Sequence, residues 1–329
     1  MMLLLKDKPS RVKGFEMHTL EILEDNSASM AYAGPPCWHN LGKPVSNDLT
    51  PEQMLEAASL DWNVEKLPMY IEVGGELIDT GSRALVRDKD ARVLSVVSDT
   101  WQPCQNLEAF SFFNDFVASG HMEMHTAGSL KNGEWVWALA KLNEGFDLFG
   151  GDLVEGYLLF SNPHQFGKCI TIQTTMTRVC CRNTIAVALS ENSKYRVKVN
   201  HSRAFDGDVV KQVLGISKNH LTSYKEKASF LGSKRYNEED VVEYFSRVFG
   251  VNEKKDEPRL AGKKAMELVD TQPGTEFAPG TFWQLYNATT YFCNFEASRN
   301  LDNRAYSLLY GANRDINLKA LSTALEMAK

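Results

Sequence analysis

At 329 residues, 43% hydrophobic and 24% charged, the chain has the composition of an ordinary soluble globular protein with one large or two modest domains. A formal net charge of −6 argues against a uniformly basic DNA-coating protein, and six cysteines without a C-x-x-C pair argue against a zinc knuckle or a disulfide framework. The apolar run from Met1 to Leu5 is far shorter than the roughly 18 residues that span a bilayer, so a cytoplasmic protein with no membrane partner is expected.

Residues 1 to about 28 are weakly periodic. "TPEQMLEAASLDW" then predicts a short helix, because Thr50 can cap it, Pro51 fits the first helical position and Glu52 suits the positive end of the dipole. The stretch from Lys66 to Trp101 alternates apolar and polar residues, with turn signals at Gly74-Gly75 and Asp88-Lys89-Asp90, which predicts a β-meander. "NLEAFSFFNDFVASG" reads as one helix with Leu107, Phe110, Phe113 and Phe116 at threefold spacing, ended by Gly120. Four strands follow, over 121–128, 134–142, 154–161 and 168–178.

In "TTMTRVCCRNT", Thr174 to Thr184, the period changes. Ile170, Ile172 and Met176 share a strand face, whereas Cys181, Ile185 and Leu189 recur every four residues, so a strand-to-helix joint is expected with Cys180 and Cys181 as reduced packing residues. Beyond Arg203 the pattern is helical: a long helix through Gly232 with Val210, Leu214, Leu221, Tyr224, Ala228 and Leu231 near a heptad, a second from the cap Asn237, and two closing helices in "GTFWQLYNATTYFCNF" and "DINLKALSTALEMA". Residues 251–280 are charged and contain Pro258, Pro273 and Pro279, which predicts a loop or linker. The expected fold class is α+β, an antiparallel sheet core with flanking helices (17–203) followed by a helical C-terminal region (204–329).

Charge is unevenly placed. Between Ser161 and Arg203 stand seven cations, Lys168, Arg178, Arg182, Lys194, Arg196, Lys198 and Arg203, against the single acid Glu191; the rest carries −12, as 29 cations against 41 acids. Such a strip fits a polyanion site, and it equally fits a solvated face or an interface to an acidic neighbouring subunit. On the polyanion reading, Arg178 and Arg182 converge on a phosphate near a helix N-terminus, while Tyr195 and Phe166 offer faces for base stacking beside Lys168, Arg196 and Lys198.

Other constellations are weaker. His121, Glu123 and His125 in "HMEMH" fall on one face of an ideal strand and are candidate metal ligands only if further ligands come from elsewhere. Cys37 with His39 in "CWHNLG", and Cys104 in "WQPCQN", lack any local acyl-transfer signature. The absence of G-x-x-x-x-G-K-[ST] and of a Rossmann glycine pattern argues against a nucleotide-driven motor or a dehydrogenase. No catalytic residue, metal or cofactor is predicted.

"YAGPPCWHNLGKPV", "LSVVSDTWQPCQNLEAFSFFNDFV", "HTAGSL", "VWALAKL", "YLLFSNPH" and "TRVCCRNTIAVAL", in this order, resemble the phage/plasmid-like protein family, from about Met17 to the C-terminus. Residues 1–16 fall outside that pattern and are read as an N-terminal extension. The resemblance implies a mobile-element protein of a bacterial host's cytoplasm, with no catalytic residues to carry over. The order helix, four antiparallel strands, helix is also similar to the core of the ring-forming single-strand annealing proteins. The expected function is binding of single-stranded DNA, for annealing or recombination, by a homo-oligomer, with a ring as the form that the second resemblance implies. Lys168, Arg178, Arg182, Tyr195, Arg196, Lys198 and Arg203 would form the contact surface. The alternatives are a non-enzymatic assembly or host-interaction protein and a metal-dependent hydrolase or nuclease using His39, His121, Glu123 or His125.

Overall fold

The computed structural model describes residues 20–34, 41–178, 183–185, 196–208, 218–297 and 304–329. Two short strands, β1 (Met30–Ala33) and β2 (Lys43–Val45), pair in parallel. Helix α1 (Pro51–Ala57) starts on a reciprocal cap: the Gln53 N–H donates to Thr50 Oγ1 at 3.2 Å, and the Thr50 N–H donates to Gln53 Oε1 at 2.9 Å. The meander expected next is β3 (Val64–Val73), β4 (Glu76–Arg87) and β5 (Arg92–Ser98), turned at Gly74 and Gly75, whose φ values of 63° and 90° favour glycine.

The phenylalanine-rich segment forms two helices where one was expected, α2 (Asn106–Ser111) and α3 (Asn114–Ala118). A threefold apolar spacing drifts off a 3.6-residue helix, and the break resets the phase. The Phe113 N–H donates to Phe110 O at 2.9 Å, a tightened turn that buries the consecutive rings of Phe112 and Phe113.

Strands β6 (Met122–Leu130), β7 (Trp135–Leu148), β8 (Asp152–Pro163) and β9 (Ile170–Arg178) run up and down as neighbours, with β1 and β2 beyond β6. The other margin differs from expectation. Residues Asn183–Ile185 are a strand, β10, paired antiparallel with Met176–Arg178, so the chain continues the sheet where a helix was expected to begin. A further strand, β11 (Arg196–Val199), pairs with Ile170–Gln173, so β10 and β11 lie one after the other along β9. Cys180 and Cys181 lie outside the described residues, as do residues 1–16.

The main sheet is covered on both faces. Met122, Met124, Ala138, Ala140, Leu158, Phe160, Ile170 and Ile172 pack against α1, α2 and the meander's Leu85, Leu94 and Val97. On the opposite face Tyr32, Leu130, Trp135, Trp137, Leu139, Tyr157 and Leu159 form a second core with Tyr306 and Tyr310.

The remainder is helical: α4 (Lys218–Gly232), α5 (Glu238–Phe249), a small hairpin of β12 (Val251–Asn252) and β13 (Glu257–Pro258), α6 (Leu260–Glu267), α7 (Phe282–Tyr291) running into a π-turn at Phe292–Glu296, α8 (Arg304–Tyr310) and α9 (Ala312–Met327). Asn237 and Asp240 cap α5 reciprocally, each bond at 2.9 Å. Tyr224, Ala228 and Leu231 of the heptad-like seam are fully buried against Tyr244, Phe245, Trp283 and Tyr286, so this part of the seam pairs within the subunit; Val210 and Leu214 lie outside the described residues. The stretch 251–280 is no open linker, since it folds into the hairpin and α6 and buries Ala265 and Val269 in the same core. Leu148 and Val154, at the far ends of β7 and β8, anchor the sheet in this core. The fold is thus α+β, with antiparallel sheets and a helical C-terminal region.

Candidate functional site

The alternation of a strand decides which residues of the basic strip reach solvent. In β11, Val197 and Val199 pack on the main core, so Arg196 and Lys198 take the opposite face. Lys198 stands across from Thr171 and is exposed. Lys168 lies two residues before β9, and Cys169 donates through Sγ to Asn200 Oδ1 at 2.9 Å, which ties this loop to the residue that follows β11. Arg203 follows within a turn. Lys168, Lys198 and Arg203 are all exposed and gather at one end of the sheet margin. Phe166, 64% exposed, stands two residues from Lys168, and its N–H donates to Ser95 Oγ at 3.1 Å, which holds the loop against β5.

The other predicted contacts are placed differently. Arg196 is half-buried and donates from Nε to Gln173 Oε1 at 3.0 Å; burial, and then the charge of Arg314, lower its pKa, while Asp315 opposes them. Its guanidinium is therefore committed to the sheet face under the α8–α9 corner. Arg178 ends β9, opposite Val154 on one side and Asn183 on the other. Eight residues of extended chain, about 26 Å at roughly 3.3 Å each, separate it from Ile170, so Arg178 and Lys168 mark opposite ends of the margin. Arg182 and Tyr195 lie outside the described residues. The helix N-terminus expected to assist Arg178 and Arg182 is replaced at Asn183–Ile185 by β10.

"HMEMH" stands at the start of β6: Met122 and Met124 enter the core as expected, Glu123 stands opposite Lys141, and His125, at the β6–β7 register shift before Thr126, keeps to the face of Lys141 and Tyr157. His121 precedes the strand, is exposed and shares a 2.6 Å hydrogen bond through Nδ1 with Ser119. His125 shares a 2.7 Å bond with Thr126 and meets the Tyr157 ring edge-on at 5.0 Å. Burial, with a smaller opposing effect of Glu155, lowers its pKa to about 4, so the ring is neutral at pH 7. Beside it Glu155 accepts from Lys141 at 2.5 Å and from Tyr157 at 2.8 Å. Burial disfavours the Glu155 charge, but these two donors outweigh it and keep the carboxyl below its ordinary pKa. This group of Lys141, Glu155, Tyr157 and His125 was not legible in the sequence, because the bulge between Lys141 and Gly145 hides the cross-strand register. Among the described residues no group of three or more His, Cys, Asp or Glu is placed to hold a metal.

Cys104 is buried, and burial followed by the charge of Glu108 pushes its thiol pKa up, the wrong direction for a nucleophile. Its neighbourhood is structural. Asn162 Nδ2 donates to Cys104 O at 2.9 Å, His164 Nε2 and Asn106 Oδ1 lie 3.1 Å apart, and the His201 ring stacks on Trp101 at 4.0 Å. "WQPCQN" and "SNPH" are thus two halves of one buried polar clamp. Cys37 and His39 lie outside the described residues.

A family model, domain of unknown function (DUF932), matches residues 93–309. No curated protein and no solved structure matches the chain. Among the described residues no helix is long and apolar enough to cross a membrane.

Proposed function

The chain belongs to the DUF932 family, and we propose that it is a phage- or plasmid-borne, non-enzymatic protein that binds single-stranded DNA for annealing or recombination and works as a homo-oligomer. The observation that carries this reading is the gathering of exposed Lys168, Lys198 and Arg203 beside exposed Phe166, in a chain otherwise rich in acids. A sheet margin that offers mobile cations and an aromatic face can follow a phosphate backbone and stack a base without reading sequence. The ordered blocks that resemble the phage/plasmid-like family support the mobile-element context. The metal-dependent hydrolase or nuclease reading has no comparable gathering of His, Cys, Asp or Glu behind it among the described residues. The assembly reading is favoured by a different observation, the β3–β4 hairpin, whose residues from Tyr70 to Gly81 are all exposed and include Ile71, Val73, Leu77 and Ile78.

The test is oligonucleotide binding against salt. Each phosphate contact on a single strand contributes about −0.7 to the slope of log K against log salt, so Lys198→Glu with Arg203→Glu should weaken binding and flatten the slope by roughly 1.4. Lys254→Glu with Lys255→Glu, in the β12–β13 turn, is the control and should change little. A parent protein that binds no oligonucleotide at low salt removes the reading, as does a folded double variant that binds like the parent.

A further inference from the structure

The exposed cations of the sheet margin stand on two loops, and both loops are seated on one segment. Residues 101–106, between β5 and α2, receive the turn after β11 at one end and the end of β8 at the other. His201 makes the first junction. Its carbonyl accepts the Gln102 N–H, its Nδ1 meets Gln102 O at 3.0 Å, and its ring lies within 17° of parallel to Trp101. A carbonyl can only accept, so the ring hydrogen sits on Nδ1. Asn162 and His164 make the second junction, on Cys104 O and Asn106 Oδ1. Asn106 donates through Nδ2 to Leu60 O, which leaves its Oδ1 to accept from His164 Nε2.

Both rings are deep in the fold, His164 fully buried and His201 3% exposed. Burial lowers the pKa of His201 against the opposing carbonyls of Gln102 and Pro163, so the ring is neutral at pH 7. Pro163 ends β8, so this one ring meets both loops. The exposed groups follow at once along the chain: Phe166 and Lys168 just after His164, and Lys198 and Arg203 on either side of His201. Cys169 Sγ and Asn200 Oδ1, 2.9 Å apart, close the gap between the loops at the surface. A cation on a free loop must be ordered before it can hold a phosphate, and that ordering subtracts from affinity. Here the backbone under each cation is already tied down.

On the reading of this margin as a single-stranded DNA site, we infer that His201 is its positioning residue. With Asn200 closing the surface side, it holds Lys198 and Arg203 at a set distance from Lys168, so the three cations meet a phosphate backbone without first being ordered. His201 itself touches no nucleic acid.

The test uses the full chain with His201→Phe, which keeps a ring and removes the donor, and His201→Asn, whose Nδ2 takes the place of Nδ1. His201→Phe should weaken binding of a thymidine oligonucleotide about tenfold and leave the salt slope as in the parent, because the same phosphates are neutralised once the strand is bound. His201→Asn should recover most of that loss. Brief thiol labelling without nucleic acid should find Cys169 faster in His201→Phe, with Cys104 and Cys293 still silent. Asn200→Ala cuts the surface tie from an exposed position, where folding is not at stake, and should also speed Cys169 and weaken binding by a smaller factor. Parental affinity in His201→Phe, a flattened slope, a His201→Asn as weak as His201→Phe, labelling that reaches Cys104 or Cys293, or parental behaviour of Asn200→Ala would each overturn this role. A parent that binds no oligonucleotide removes the DNA reading and this role with it, whereas a binding parent with an unaffected His201→Phe removes this role alone.

Discussion

Glu21 and Arg87 meet at 2.6 Å across 66 residues of sequence, with 3% and 7% of their side chains exposed, and Arg87 also holds Asp90 at 2.7 Å. Burial opposes the Arg87 charge, but the hydrogen bonds it donates to Asp90 and Glu21 outweigh it and raise its pKa. The pair staples the segment before β1 to the meander. Removing Arg87 leaves Glu21 as a buried unpaired charge, so Arg87→Ala should cost about 3–5 kcal/mol in urea unfolding. Replacing both with apolar residues, Glu21→Leu with Arg87→Met, should cost much less; equal losses would show that packing and not charge dominates.

Stability should fall on mild acidification. His125 and His164 have pKa values lowered by burial to about 4 and about 3, from an ordinary 6.5. The folded state resists a proton that the unfolded state accepts, so their contribution is complete above pH 6.5 and is lost as pH falls below it, at up to roughly 1.4 kcal/mol per pH unit for each ring. Asp90, held near 2 chiefly by its hydrogen bond from Arg87, contributes above pH 3.8 and loses that contribution as pH falls toward 2. Urea midpoints between pH 7 and 4 should therefore slope downward, and His125→Gln should flatten the slope. An unchanged slope in that variant would place the acid sensitivity elsewhere.

Buried thiols should be silent. Burial raises the pKa of Cys104 and Cys293 and denies reagent access, so neither should react with a thiol-specific reagent until the protein is unfolded. Peptide mapping after brief labelling of native and urea-treated protein checks this, and native labelling at Cys104 would show that its clamp opens.

A single methyl group at Gly232 should be costly. A Cβ there would run into the ring of Phe149, which turns from β7 to β8 with a φ of 56°. Gly232→Ala should destabilise by about 1–3 kcal/mol through overpacking, and Phe149→Ala in the same chain should recover part of that loss. Additive losses would mean that the two positions do not press on each other.

What was readable in the sequence was local. The capped starts of α1 and α5 and the meander's turns at Gly74-Gly75 depend on neighbours a few residues away, and each stands where the pattern put it. What was hidden depends on distant partners. The spacing of Cys181, Ile185 and Leu189 predicts a helix, yet Asn183–Ile185 gains a ladder along Met176–Arg178, and in those three residues the tertiary pairing overrides the local signal. The bulge at His125 needs β7 to define it, and Arg196 turns toward Gln173 because its neighbours Val197 and Val199 take the core side. Charge counting could find the basic strip, but only the register could sort Lys168, Lys198 and Arg203 from the half-buried Arg196.

The arrangement of β10 and β11 in series along β9 also bears on how the protein avoids self-templating. A full-length strand there would leave a long row of free N–H and C=O groups, a template for adding foreign strands and seeding fibrils. The margin is instead divided into segments of three and four residues, the longer of which carries Arg196 and Lys198. Among the described residues an incoming strand would find no continuous ladder to extend and would meet exposed Lys198 on the longer segment, so this border protects the sheet against runaway growth.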